Sequence, residues 1–199
     1  MSSILIIPGL GGSGQHHWQS HWEQTLPNAR RVEQADWDRP ELSAWMERLE
    51  NAVAAVPGAV LVAHSLGCAL VAHLALRRPD LPVGAALLVA PADVDSARHT
   101  PEHVRSFAPL PGKRLPFRSV VVASRNDPYI AIDRARALAG AWGAIFVDVG
   151  ASGHINTEAG FGPWPAGEDL LDELIGGRER SRRLAAEQGT SPGSHETVR

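Results

Sequence analysis

A chain of 199 residues has the length of one domain, enough to bury a full core but short for a core plus a separate cap. Nineteen Lys and Arg against 22 Asp and Glu leave a net charge of −3, so there is no basic excess to neutralise nucleic-acid phosphates. The single cysteine, Cys68, excludes an internal disulfide framework and a Cys-rich zinc site, and it fits a reducing compartment.

The chain opens with "SILII", a short β-branched run that predicts a buried strand. Ile4 to Ile7 has no basic flank and is far too short for a signal peptide or a membrane span, so a cytoplasmic location with no membrane partner is expected. Directly after it, Gly9, Gly11 and Gly14 spell the G-x-G-x-x-G of a dinucleotide-binding turn. A glycine-rich loop after a strand has a second use, presenting backbone N–H groups to a developing oxyanion, and the rest of the chain must decide between them.

A helix is predicted over 16–26, then an edge strand at "RRVEQ", then a helix over 40–56. "VLVAHS" (Val60 to Ser65) reads as a second apolar strand, followed by an Ala-rich helix over 67–78. "GAALLVAP", "RSVVVASRNDP" and "AIFVDVG" repeat the strand character, with helices over 132–142 and about 167–175. Short apolar strands alternating with amphipathic helices predict an α/β fold of three layers: an open, mostly parallel sheet with helices on both faces and a minimal cap. One irregular stretch, "ADVDSARHTPEHVRSFAPLPGKRLPF", carries four prolines and is expected as a functional loop. A single domain over 1–176 is expected. Residues 177–199 are polar, with too little apolar surface to offset ordering entropy, and read as a frayed helix or disordered tail.

Ligands of open α/β sheets sit at the carboxyl ends of the strands, which here read "PGLGG", "HSLGC", "PADVD", "SRNDP" and "GASGHIN". Ala63-His64-Ser65-Leu66-Gly67 lies at a strand-to-helix junction and matches the G-x-S-x-G nucleophile elbow, with Ala63 in place of the first glycine. A serine capping a helix is the plainer explanation of Ser65 taken alone. A hydroxyl needs a base to take its proton, and the base needs an acid to orient it, in the chain order Ser, Asp or Glu, His. Ser65, Asp127 and His154 meet that order, each just past a predicted strand. Asp93 is the second choice for the acid, whereas Asp148 falls within a strand pattern.

In this reading the N–H groups of Leu66 and Leu10 form the oxyanion hole, with Gly9 beside them. The dinucleotide reading has Glu33 at about the right spacing for a ribose contact, but it leaves the serine, aspartate and histidine unexplained. His17 and His21 have helical i, i+4 spacing, yet no HExxH-type glutamate or third ligand accompanies them, so no metal is expected.

With these residues assembled, the chain resembles the small serine hydrolases typified by retinoblastoma-binding protein nine and the bacterial YdeN-like proteins. The matching stretches are "IPGLGGS", "HHWQSHWE", "VLVAHSLGC", "LPFRSVVVASRNDPY" and "GHINTEAGFGPWPAGEDLL". The resemblance implies a nearly capless α/β-hydrolase with its triad on Ser65, Asp127 and His154, acting on small ester or amide substrates without a cofactor. Gly9, Trp164 and Phe107 are expected to line the substrate pocket, Phe107 together with Leu110 as a small lid. Trp18 and Trp22, four apart on one helix face, are expected to pack in the core. Fold does not guarantee activity, so a hydrolase-fold module that mainly binds a protein partner is the alternative class.

Overall fold

The structure is a computed structural model that describes residues 2–176. The expected polar tail, 177–199, lies outside the described residues.

Six strands form one sheet: β1 (Ile4–Ile7), β2 (Ala29–Arg31), β3 (Val60–His64), β4 (Ala85–Val89), β5 (Arg118–Ala123) and β6 (Ile145–Asp148). Their spatial order is β2-β1-β3-β4-β5-β6, and every neighbouring pair is parallel. Between them run α1 (Trp18–Thr25), α2 (Leu42–Ala55), α3 (Leu66–Arg77) and α4 (Ile132–Trp142). A fifth helix, α5, covers 165–176.

The two-residue period of the strands divides the core. Leu5, Ile7, Leu61, Ala63, Leu88 and Val121 point to one face, where α2, α3 and α4 pack through Leu49, Leu70 and Leu138. Ile6, Val62, Leu87 and Val122 point to the other, where Trp18 and Trp22 of α1 meet Leu171 and Leu174 of α5. With both faces covered, the central strands read as continuous apolar runs instead of an alternation. The expected three-layer, open α/β fold is therefore the observed one, and its sheet is parallel throughout.

Local chemistry moves the helix ends. α1 starts at Trp18, two residues after the expected start, because the His17 ring accepts a hydrogen bond from Gln19 N and makes His17 the N-cap. α5 starts two residues early, with Pro165 in its first turn, where a missing N–H costs nothing. The long loop between β4 and β5 contains a short 3-10 helix, Glu102–Phe107, bounded by the prolines that interrupt any longer one.

From β1 the chain moves outward to β2, then returns to place β3 on the opposite side of β1. This reversal opens a crevice at the carboxyl ends of β1 and β3, the usual ligand position in such sheets. Helix α3 crosses the crevice so closely that a Cβ on Gly67 would overlap the Ile7 carbonyl oxygen and lie 2.9 Å from that of Pro8. Backbone cannot yield as a flexible side chain does. Gly67→Ala is expected to lower the unfolding free energy by about 1–3 kcal/mol in urea denaturation, where an unchanged midpoint would show that this approach is not tight.

Candidate active site

Ser65 joins β3 to α3 with φ 54° and ψ −120°, a left-handed conformation that a non-glycine residue holds at a cost of about 1–3 kcal/mol. Neighbouring backbone enforces it. Ser65 N donates to Val89 O at 3.0 Å, while Ser65 O accepts from Cys68 N at 3.0 Å and from Ala92 N at 3.3 Å. No side-chain cap bond forms, so the hydroxyl does not cap α3. Instead Ser65 Oγ lies 2.9 Å from His154 Nε2.

His154 Nδ1 lies 3.0 and 2.9 Å from the two carboxylate oxygens of Asp127. A carboxylate only accepts, so the imidazole proton is on Nδ1 and Nε2 offers its lone pair to the serine hydroxyl. The Asp127 side chain is wholly buried, and its Oδ1 also accepts from Tyr129 N at 2.8 Å. Ser65, Asp127 and His154 are thus brought into one hydrogen-bonded row from the ends of β3, β5 and β6. Such a row can draw a proton from a hydroxyl while the cation formed is held by a carboxylate.

The loops carrying Asp127 and His154 are tied directly to each other. Asn126 Oδ1 accepts from Gly153 N at 2.8 Å, Ser124 Oγ accepts from Ser152 N at 2.9 Å, and Arg125 N donates to Gly150 O at 2.7 Å. Asp93, the rival acid, instead faces Arg134 at 3.4 Å, and Asp148 pairs with Arg125 at 3.0 Å.

Leu10 begins a 3-10 turn, Leu10–Gly12, at the end of β1, and Leu66 is the first residue of α3. Among the described residues neither N–H has an acceptor. Gly9 brings the two loops together: a Cβ there would lie 2.8 Å from Ser65 Cβ and 3.0 Å from Leu66 N. The first glycine of the apparent dinucleotide motif therefore accommodates the elbow, and no α-helix follows until Trp18. This is not the glycine-to-helix turn that a pyrophosphate requires.

A cleft of about 190 Å3 opens over Ser65, lined by Leu10, Ser13, His17, His64, Leu66, Ala92, Thr100, Pro101, Val104, Tyr129, His154, Asn156 and Glu158. Three expected pocket residues, Trp164, Phe107 and Gly9, are absent from it. Trp164 lies in the core, stacked on Trp22 at 5.9 Å and edge-on to Trp18 at 5.1 Å, its ring over Gly167, where a Cβ would collide. Phe107 is fully buried against Trp45 at 5.6 Å, and Leu110 is buried beside the same cluster. Gly9 lies beneath the elbow and does not line the cleft. The Pro-rich loop does border the cleft, through Thr100, Pro101 and Val104. Tyr129, two residues past Asp127 in "NDPY", also lines the cleft, its ring 4.4 Å from that of His154, and no periodic pattern in the sequence marks it.

A family model described as serine hydrolase matches residues 4–173. The chain belongs to that serine hydrolase family. A crystal structure of a YdeN-like hydrolase from Pectobacterium atrosepticum is 32% identical, covers 87% of this chain and 90% of its own, and superposes with a TM-score of 0.78. The ydeN gene product of B. subtilis, 20% identical over 88% of this chain and 100% of its own, shares the fold at a TM-score of 0.71. So does the ferulic-acid-bound Est1E of Butyrivibrio proteoclasticus, 13% identical over 88% and 90%, at 0.67. A search of curated protein sequences returns no match. This serine hydrolase has no helix among its described residues long and apolar enough to cross a membrane.

Two further histidines of this hydrolase stand beside the row. His64 is buried against His154, which drives its pKa well below the usual imidazole value, chiefly through desolvation. His17 is lowered to about 3, again first by burial and then by the neighbouring His154 and Arg31. Its Nδ1 accepts from Gln19 N, so its proton sits on Nε2, which is buried without a partner. Buried Cys68 has its thiol pKa pushed upward by desolvation, so it offers no reactive thiolate.

Both imidazoles bind a proton less readily folded than unfolded, so their neutrality costs nothing above the unfolded value of 6.5, and stability is lost as the pH falls below it. Between pH 6.5 and 5 the share of His17 should grow from about 0.7 toward about 1.4 kcal/mol of unfolding free energy lost per pH unit. His17→Asn keeps an N-cap acceptor and cannot be protonated, so urea denaturation across this range should give a slope shallower by one such share. An unchanged slope would show that His17 takes up a proton in the folded state.

Proposed function

We propose that this serine hydrolase cleaves small ester or amide substrates by acyl transfer, with Ser65 as nucleophile, His154 as general base and acid, and Asp127 as its orienting carboxylate. The observation that carries the reading is the unbroken row from Ser65 Oγ to His154 Nε2 at 2.9 Å and from Nδ1 to Asp127 at 2.9 Å.

His154 takes the hydroxyl proton as Ser65 Oγ attacks the carbonyl carbon, and the buried carboxylate stabilises the imidazolium. The vacant N–H groups of Leu66 and Leu10 then hold the oxyanion, a contribution of about 100- to 1,000-fold per donor in such sites. His154 gives its proton to the leaving oxygen or nitrogen, and the acyl group remains on Ser65. Water enters by the same base and releases the acid. A cleft of about 190 Å3, with apolar Leu10, Val104 and Pro101 on its walls, suits a short acyl chain.

Ser65→Ala should reduce kcat for p-nitrophenyl acetate by about a million-fold and abolish fluorophosphonate labelling; a variant keeping most of the wild-type rate overturns the assignment. Along a series of p-nitrophenyl esters, kcat/KM should peak at two to four acyl carbons and fall by about tenfold or more at eight, since the extra methylenes find no apolar wall to cover them. A rise toward long chains would contradict the short-chain reading.

A further inference from the structure

The loop that carries His154 leaves β6 through positive φ at Gly150, Gly153 and Ile155, so no strand ladder holds it. Two consecutive carbonyls in that loop are gripped by ring donors from distant parts of the chain. His64 Nε2 donates to His154 O at 2.9 Å, across 90 residues, and Trp18 Nε1 donates to Ile155 O at 2.9 Å, across 137. A carbonyl can only accept, so His64 carries its proton on Nε2. Both donors are buried, and their rings meet edge to face at 6.0 Å. The His64 ring also packs 4.7 Å from that of His154.

His64 is the residue immediately before the nucleophile. The backbone that sets Ser65 Oγ therefore also sets, through one imidazole, the main chain of the residue bearing the base. The distance between the two reacting atoms is fixed by a few bonds and one hydrogen bond instead of by the 89-position separation along the chain. Trp18 fixes the next peptide, so the loop is held at two adjacent points and resists rotation about either one.

We propose that His64 and Trp18 are positioning residues: together they hold His154 at hydrogen-bonding distance from Ser65 by binding the main-chain carbonyls of His154 and Ile155. The inference rests on the assignment of Ser65 as nucleophile and His154 as base. A pure packing role would need only the ring volumes, whereas positioning needs the donated hydrogen bonds.

The test compares wild type, Ser65→Ala, His64→Leu, His64→Gln and Trp18→Phe in steady-state hydrolysis of p-nitrophenyl acetate, each well below its own unfolding midpoint. A misplacement of about 1 Å costs about 100-fold, so His64→Leu should lower kcat by about that factor with KM held within about twofold. In His64→Gln the amide nitrogen falls near the former Nε2 and restores a donor, so about tenfold or more of that loss should return. Trp18→Phe keeps a ring but loses the N–H, and should lower kcat by about tenfold at unchanged KM. Equal kcat in His64→Leu and His64→Gln, or wild-type kcat in Trp18→Phe, overturns the inference. If His64→Leu does not fold, Trp18→Phe decides by the same criterion. Activity surviving in Ser65→Ala would instead refute the nucleophile itself, a different failure from loss of positioning.

Discussion

The backbone at Ser65 is held where L-residues are seldom found, and the neighbouring elements are arranged to keep it there. Val89, Cys68 and Ala92 fix its peptide groups. Gly67 lets α3 pass against the end of β1, and Gly9 lets the β1 loop lie under the serine. The strain has a chemical consequence: it turns Oγ away from the helix end it would otherwise cap and toward the imidazole at 2.9 Å. It also leaves the Leu66 N–H at the start of α3 without a protein acceptor, where an oxyanion can use it.

A parallel sheet supplies the rest by geometry. Every strand ends on the same edge, so the loops after β1, β3, β5 and β6 gather there although the sequence separates them widely. Gathering alone does not set distances of 3 Å. That precision comes from side chains binding backbone: Asn126 and Ser124 tie the Asp127 loop to the His154 loop, while His64 and Trp18 bind the His154 loop to the end of β3 and to α1. Residues of "SRND" and "GASGHI", with His64 and Trp18, are parts of one hydrogen-bonded assembly.

Much of the fold could be read in advance because burial on both faces leaves a plain trace. "ILII", "VLVAH" and "AALLV" admit no alternation, and each is a strand with both faces covered. The serine, aspartate and histidine were legible by type, order and position past a strand. The walls of the cleft were not. Trp164 follows His154 by ten residues and suggests a pocket, but its ring is drawn into the α1–α5 core by Trp18 and Trp22. Phe107 sits in a loop that does border the cleft, yet it turns inward to Trp45 while Val104, three residues earlier, lines the cleft.

The sequence by itself determined the layering and which side chains have the chemistry to react, because hydrophobic period and residue type are local properties. Only the tertiary structure decided which aromatic rings face solvent, which glycines make room for neighbours, and which distant donors hold the loop bearing His154. Those depend on what lies across the gap from each residue, and a side chain's partner 90 or 137 positions away leaves no periodic mark along the chain.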